Sequence, residues 1–477
     1  MKFNYEVRIK HIFFLFVHFL LLGALVLFSY LSYSDLKVVD QWSEIVTLIA
    51  IALLLIQIIS LKLKGIEYTD FRLWFLILTY LFMFGRVFLH ALNLDENIFW
   101  NLIMRYPEID MFRASMFILC SIQSIFIGFV IKDCKKNNKL KVKLYKLKPD
   151  FNIYKAGIIL LIFSLPFRLI TDINWIIQTQ GAGSYSAIQS GSGLSDDFAF
   201  LFLPSIILLI CSGKLNKSKS NILVSVVIIY FIIVMILTGD RRYPVTAILA
   251  LVLCYLKYYN LRISFVKTVL LGYIALTMLN LFTVVREVRH DELTSLFDFI
   301  LNYWSKIFFN TNTVYETLAE FGLTFFSVVH IFMYVPYIIP FQRGFTFVAT
   351  IPSILPIGWL FRDFFSKSSV SGIINPQAGA SVGASLIGDL YANFGWYALG
   401  AGIIVGIIFN KIFNVSNEKN IRLKYVQYFS LFYILINLVR ATFFEVFRSA
   451  IMVYFVPMLI IWIVKNMSRN NVLMKER

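Results

Sequence analysis

Residues 222–255 read ILVSVVIIYFIIVMILTGDRRYPVTAILALVLCY, two apolar runs on either side of the charged turn TGDRRYP. The runs are centred near Tyr230 and Leu251. An α-helix needs about 20 apolar residues to cross the hydrocarbon core of a bilayer. Gly239 and Pro244 favour a tight turn between the runs. This stretch therefore predicts two membrane-spanning helices joined at the outer surface, where the turn places Asp240, Arg241 and Arg242.

The same kind of run recurs along the whole chain. Of the 477 residues, 59% are hydrophobic and only 15% are charged, which is too apolar for a water-soluble fold. The sequence predicts an all-α, polytopic integral membrane protein with a single membrane domain over residues 1–477. Twelve predicted spans are centred near Leu22, Ala52, Tyr80, Ile122, Ser164, Ile206, Tyr230, Leu251, Ala275, Ala401, Tyr433 and Pro457.

The distribution of charge predicts the topology. With the N-terminus inside, the connections predicted to be cytoplasmic hold 23 Lys and 6 Arg against 7 acidic residues. The outer half holds 3 Lys and 12 Arg against 20 acidic residues. Cytoplasmic loops of membrane proteins carry excess Lys and Arg, so both termini and the basic loop 132–155 are predicted to be cytoplasmic. The net charge of +17 is then a topology signal, and nucleic acid is not an expected partner.

The cations differ in type on the two predicted sides, mostly Lys inside and mostly Arg outside. The guanidinium group binds phosphate or carboxylate with two parallel hydrogen bonds, so outer arginines suggest anion sites. Arg86, Arg168 and Arg440 fall in the outward halves of their spans. Each alone could extend to the lipid headgroups, but the three together favour a shared polar cavity.

One long external loop, residues 286–384, is predicted between spans 9 and 10. Its first part favours helices lying at the membrane interface. Within it, 325–361 is apolar and carries Pro336, Pro340, Pro352 and Pro356. This segment is predicted to be re-entrant or a pair of broken spans, which raises the possible count to fourteen helices.

Several kinds of chemistry find no support in the sequence. It contains no phosphate-binding Gly-x-x-x-x-Gly-Lys-Ser/Thr loop, no Gly-x-Gly-x-x-Gly after a strand and no His-Glu-x-x-His. The four cysteines show no Cys-x-x-Cys spacing. We therefore predict no cofactor and no metal. Candidate proton acceptors among the outer residues are Asp389, Glu445, Glu287, His290 and His330.

Three stretches carry a resemblance to a known family. They are TGDRRYP, the passage VGASLIGDLYANFGWYALG at 382–400 and the late FRSAIMVYF at 447–455. Together with the number of spans and the long external loop, they resemble Wzy-type O-antigen or oligosaccharide repeat-unit polymerases. The resemblance implies a bacterial inner-membrane glycosyltransferase acting at the outer face. Its substrates would be repeat units carried on undecaprenyl pyrophosphate, and a chain-length regulator is a possible partner.

On this interpretation outer arginines bind the pyrophosphate, and Asp389 or Glu445 assists the acceptor hydroxyl. The predicted substrate-binding residues are Arg241, Arg242, Arg286, Arg343, Arg440 and Arg448. An Arg followed eleven positions later by Gly, found in loops of some members, is absent here, since Phe297 and Ile354 stand in those places after Arg286 and Arg343. Asp389 precedes the Asn-Phe-Gly turn, and it either orients that turn or takes part in the chemistry.

Two other functions remain open at this point. An O-antigen ligase has a similar layout and donor but transfers the polymer to a lipid core or protein. A lipid-linked oligosaccharide flippase or other transporter also suits twelve spans. Transporters usually show repeated halves and charges near the middle of the bilayer, whereas this chain shows no clear repeat and has its arginines on one side.

Overall fold

The computed structural model describes residues 2–33, 39–95, 103–131, 144–182, 194–240, 242–261, 313–355, 364–365, 367–378, 383–415 and 420–475. Within these ranges the chain forms helices and turns, with no strand. The α-helices are α1 Lys2–Ser32, α2 Trp42–Leu63, α3 Phe71–Ala91, α4 Glu108–Val130, α5 Phe151–Ala182, α6 Leu194–Phe200, α7 Phe202–Ser212, α8 Lys217–Thr238, α9 Arg242–Tyr259, α10 Thr313–Phe321, α11 Thr324–Tyr334, α12 Phe345–Val348, α13 Thr350–Ser353, α14 Val370–Ala378, α15 Leu386–Phe394, α16 Ala398–Phe413, α17 Ile421–Leu435 and α18 Phe443–Lys475.

Ten apolar segments in the described part of the chain are long enough to cross a membrane. They confirm the prediction of an all-α, multi-pass membrane protein. Nine of the twelve predicted centres fall in these segments. The centres near Leu251 and Tyr433 fall in the shorter helices α9 and α17. The centre near Ala275 lies outside the described residues.

The tenth segment, Val314–Tyr334, lies within the stretch that the sequence predicted to be an external loop. It comprises α10 and α11 and packs against α2 and α3. The rings of Phe82 and Phe321 stack at 4.7 Å, and those of Trp42 and Phe325 at 6.2 Å. After Tyr334 the prolines end regular helix, because proline cannot donate the next backbone hydrogen bond. Only the four-residue helices α12 and α13 follow before residue 355.

Helix α4 lies at the centre of the bundle, and every residue from 114 to 130 is buried. It packs most closely against α16, where two glycines allow the backbones to touch. A Cβ added at Gly128 would collide with the carbonyl oxygen of Ile403, and one at Gly406 with that of Ile125. Small residues spaced for such close approach are a common way to join helices in membranes, where the hydrophobic effect does not drive association.

A buried polar network attaches α1 and α2 to α4. Gln57 Nε2 donates to Gln123 Oε1 at 2.9 Å, and Gln123 Nε2 donates to the His18 carbonyl at 2.9 Å. The His18 ring also lies 3.2 Å from the Ser60 hydroxyl. Polar groups buried in an apolar surrounding are costly unless paired, so these contacts specify how the first helices pack.

Contacts between helix termini define two ends of the bundle. At one end Arg72, in the first turn of α3, donates to Asn410 of α16 at 2.7 Å. Nearby segments carry Lys146, Lys148, Lys214, Lys217 and Lys424, so we call this the lysine-rich end. The opposite end holds Asp389, Arg448 and most of the other described acids and arginines, and we call it the arginine-rich end. Which end faces the cytoplasm stays a prediction.

Candidate active site

Asp389 is the best-connected carboxylate at the arginine-rich end. It lies in the first turn of α15, where the Ser385 hydroxyl caps the helix by accepting from the Gly388 N–H at 3.2 Å. The Asp389 side chain is completely buried. Its Oδ1 accepts from the Thr346 hydroxyl at 2.9 Å, and its Oδ2 accepts from the Phe443 N–H at 3.0 Å. One carboxylate thus joins α12, α15 and α18.

Asn393, one turn further along α15, completes this junction. Its Nδ2 donates to the Thr346 hydroxyl and to the Asp389 carbonyl, both at 2.7 Å, while its Oδ1 accepts from the Gly344 N–H at 3.0 Å. Both the NH2 group and the oxygen of the Asn393 side chain are therefore hydrogen-bonded. Asp389 and Asn393 together orient the segment 342–346, which the sequence alone did not connect to this turn.

Arg343 projects from that segment. Two main-chain hydrogen bonds fix its position: Gln342 N–H donates to the Ala392 carbonyl at 2.9 Å, and Arg343 N–H donates to the Asn393 carbonyl at 3.0 Å. The side chain is exposed, and the backbone φ of +49° is in the left-handed region that residues other than glycine rarely adopt. Such strain is retained where the surrounding structure imposes it, and it is frequent at functional sites.

Glu445, the other predicted proton acceptor, is exposed in the first turn of α18. Its N–H donates to the Thr442 hydroxyl at 3.3 Å, which caps the helix. Its Oε1 accepts from the Ser371 hydroxyl at 3.0 Å. Glu445 lies two residues after Phe443, whose N–H donates to Asp389. The buried acid therefore supports the helix turn that presents the exposed one.

Arg448 and Arg440 have contacts of their own at this end. The Arg448 guanidinium forms an ion pair with Asp197 of α6, and both side chains are mostly buried. Arg440 is half-buried, with its guanidinium 5.6 Å from the centre of the Phe82 ring. The positive charge of Arg448 is thus partly compensated by a carboxylate of the protein.

A buried ion pair that the sequence reasoning missed lies within α5, on the face that contacts α8. Arg168 Nε donates to Asp172 Oδ2 at 2.7 Å, and the Tyr230 hydroxyl donates to the same oxygen. Both charged side chains are almost completely buried. The signal was present in the sequence, since an Arg and an Asp four positions apart share one face of a helix. Arg86, the third arginine within a span, instead donates to the Ala319 carbonyl.

His330 has hydrogen-bond partners at both ring nitrogens. Its Nδ1 lies 2.8 Å from the Phe326 carbonyl and must carry the proton, so Nε2 accepts from the Tyr106 hydroxyl at 3.0 Å. Burial raises the pKa of the Tyr106 phenol, which keeps that donor protonated. This pairing links α11 to the segment before α4, and the role of His330 as a proton acceptor stays a prediction.

The remaining predicted residues are described less fully. Arg241, Arg286, Glu287 and His290 lie outside the described residues. Arg242 is the first residue of α9, and only its main chain is described. Of the predicted set, the structure brings together Asp389, Glu445 and the segment carrying Arg343. Within the ranges described above, no group of three His, Cys, Asp or Glu side chains is placed to hold a metal ion.

Comparison with known proteins identifies the family. The family model described as O-antigen polysaccharide polymerase Wzy matches residues 11–471, nearly the whole chain. No curated protein and no solved structure matches the chain. The family match agrees with the resemblance carried by TGDRRYP and by the passage 382–400, which contains Asp389. The chain belongs to the O-antigen polysaccharide polymerase Wzy family.

Proposed function

We propose that this protein joins oligosaccharide repeat units carried on undecaprenyl pyrophosphate, at the outer face of the bacterial inner membrane. Family membership supports an O-antigen polymerase in general, which performs a glycosyl transfer between sugar repeat units. The lipid pyrophosphate donor, the outer face and a chain-length regulator as partner belong to the proposal. The excess of lysine at one end of the bundle supports the proposed orientation.

The reaction exchanges one bond to the anomeric carbon for another. The bond from the anomeric carbon of the growing chain to the pyrophosphate oxygen breaks. A new glycosidic bond forms from that carbon to the oxygen of the acceptor hydroxyl, and the hydroxyl proton passes to a carboxylate. Undecaprenyl pyrophosphate leaves with the bonding electron pair, so cations that bind it lower the barrier.

One observation carries the proposal: Asp389 links the segment that presents Arg343 to the helix turn that presents Glu445. A guanidinium for the departing phosphate and a carboxylate for the incoming hydroxyl are the two groups that this transfer requires. We assign Glu445 as the proton acceptor because it is exposed, and Asp389 as a positioning residue because it is buried and hydrogen-bonded to both segments.

The arginines have unequal roles in this proposal. Arg343 is the principal ligand for the pyrophosphate, since its side chain is exposed on a segment fixed by Asn393. Arg448, one helical turn after Glu445, and Arg440 add positive charge at the same end, where Asp197 partly compensates Arg448. Arg241, Arg242 and Arg286 complete the proposed set, on the basis of their sequence positions.

Deletion of the gene tests the function. A polymerase deletion leaves single repeat units, transferred or still on the carrier, and complementation restores the ladder of chain lengths on a polysaccharide gel. A ligase deletion instead leaves long polymer on its lipid carrier. Long carrier-linked chains in the deletion strain would therefore overturn the proposal in favour of a ligase, and an accumulation of repeats on the inner leaflet would favour a flippase.

A further inference from the structure

Helix α14 begins beside the exposed carboxylate in the first turn of α18. Val370 and Ile374, one helical turn apart on α14, are both buried and belong to the apolar core. The helix contacts α11 and α15. At its far end the Tyr334 hydroxyl, from the last residue of α11, donates to the Gln377 carbonyl at 3.4 Å. The position of α14 therefore depends on α15, the helix that also carries Asp389.

Two serines at the start of α14 connect its backbone to that carboxylate. Ser369 immediately precedes the helix and caps it, since its Oγ accepts from the Gly372 N–H at 3.0 Å. The hydroxyl oxygens of Ser369 and Ser371 lie 3.2 Å apart. The Ser371 hydroxyl then donates to Glu445 Oε1 at 3.0 Å. These three contacts form one hydrogen-bonded chain from the N-terminus of α14 to the N-terminus of α18.

The direction of each hydrogen bond in this chain follows from its last member. An ionised carboxylate has no proton to give, so Ser371 is the donor to Glu445. A hydroxyl carries a single proton, and Ser371 must therefore accept from the Ser369 hydroxyl. Ser369 in turn accepts from the Gly372 N–H. All three bonds are directed toward the carboxylate, and hydrogen bonds aligned in this way polarise and strengthen one another.

We propose that Ser371 is a positioning residue for the glycosyl transfer, because it holds the Glu445 carboxylate in the orientation that meets the acceptor hydroxyl. This inference rests on the function proposed above, in which Glu445 takes the proton. An exposed glutamate has several rotamers of similar energy unless a neighbour selects one. A hydroxyl that donates to a carboxylate makes a charge-assisted bond, which is strong enough to do so. Ser371 therefore affects the rate of transfer in the bound complex and not the binding of the substrates.

The test is the rate of chain assembly from lipid-linked repeat units by the full-length protein in proteoliposomes. Ser371→Ala is expected to lower kcat about tenfold, because a carboxylate displaced by about 1 Å loses much of its reactivity, and to leave KM within about twofold. Ser371→Thr keeps the hydroxyl and should recover most of the rate. Ser468→Ala is the matched control, since the Ser468 hydroxyl is also half-buried and donates to Asn152 Oδ1 at 3.1 Å, but at the lysine-rich end. Its rate should equal that of the wild type.

A double variant distinguishes positioning from a general structural effect. Ser371→Ala added to Glu445→Gln should cost little further rate, since Ser371 acts only through that carboxylate. The proposal would be overturned by a further tenfold loss in the double variant, by a failure of Ser371→Thr to recover the rate, or by a loss that follows a lower unfolding midpoint. A normal rate in Ser371→Ala with a slow Glu445→Gln would refute this inference alone. A normal rate in Glu445→Gln would instead refute the proton acceptor of the proposed function.

Discussion

The Oδ2 atom of Asp389 accepts a hydrogen bond from the main-chain N–H of Phe443 at 3.0 Å. This contact places a buried carboxylate at the N-terminus of α18, where the exposed backbone N–H groups favour negative charge. The same carboxylate binds Thr346 through its other oxygen. The geometry of the candidate site at two distant positions in the chain therefore depends on one side chain.

Replacing Asp389 should reduce stability more than it reduces the chemistry of a folded molecule. Asp389→Ala leaves the donors of Thr346 and Phe443 without a partner and is expected to destabilise the protein by about 3 kcal/mol. Asp389→Asn keeps one acceptor oxygen, so it should cost about half as much and retain measurable polymerisation. Thermal unfolding in detergent and a polysaccharide ladder measure the two effects. Complete loss of polymer in a fully stable Asp389→Asn protein would instead make Asp389 the proton acceptor.

Glu445→Gln should instead reduce polymerisation without reducing stability. The amide still accepts from Ser371 but cannot take a proton, so polymerisation is expected to fall about 100-fold or more with an unchanged unfolding midpoint. Glu44→Gln is the control, since Glu44 is an exposed acid in the first turn of α2. Chain assembly from lipid-linked repeats, timed in membranes containing equal protein, gives the rate. A wild-type rate in Glu445→Gln would rule out its assigned role.

Arg343→Gly separates the backbone of Arg343 from its side chain. Glycine adopts the left-handed conformation without strain, so stability should be unchanged or rise by up to about 1 kcal/mol. The loss of the guanidinium should nevertheless abolish long chains and leave single repeats. Arg105→Ala, at an exposed arginine of the same end, is expected to polymerise normally. A normal ladder from Arg343→Gly would show that Arg343 serves only the turn.

The Arg448–Asp197 pair can be tested by exchanging its charges. Removing either partner leaves a mostly buried charge unpaired, with an expected loss of about 3–5 kcal/mol. The double variant Asp197→Arg, Arg448→Asp should recover much of that stability, because the pair is restored. Polymerisation should remain lost, because the cation has moved away from the proposed pyrophosphate site. Recovery of long chains would limit Arg448 to a structural role.

Much of the fold was predictable from the sequence, because spans are recorded locally as apolar runs. The helices around Tyr230 and Ile122 needed no information beyond their own residues. The segment Val314–Tyr334 was not predicted as one span. Its first half mixes polar and aromatic residues and was predicted to be interfacial, and its second half was predicted to belong to a re-entrant segment or a pair of broken spans. Its position depends on packing against Phe82 and Trp42, which lie over 200 residues earlier.

The candidate site was predictable only in part. Residue type and position identified Asp389, Glu445 and Arg343. The sequence could not show that Thr346 and Phe443 share one carboxylate, because those contacts join segments more than 40 residues away from Asp389. The partner of Arg448 was missed for the same reason. Contacts between neighbouring helices leave no pattern in the local sequence, whereas a pair four residues apart in one helix, such as Arg168 and Asp172, does.

The close packing of α16 against Gly128 constrains the order in which the helices can assemble during synthesis. Ribosomes add about 5–20 residues per second, so the chain from residue 130 to residue 398 takes roughly 15 to 50 s to make. During that interval α4 has been synthesised, but α16 does not yet fill the groove at Gly128. The early helices therefore remain in the membrane as a partly assembled bundle until the last quarter of the polypeptide has been synthesised.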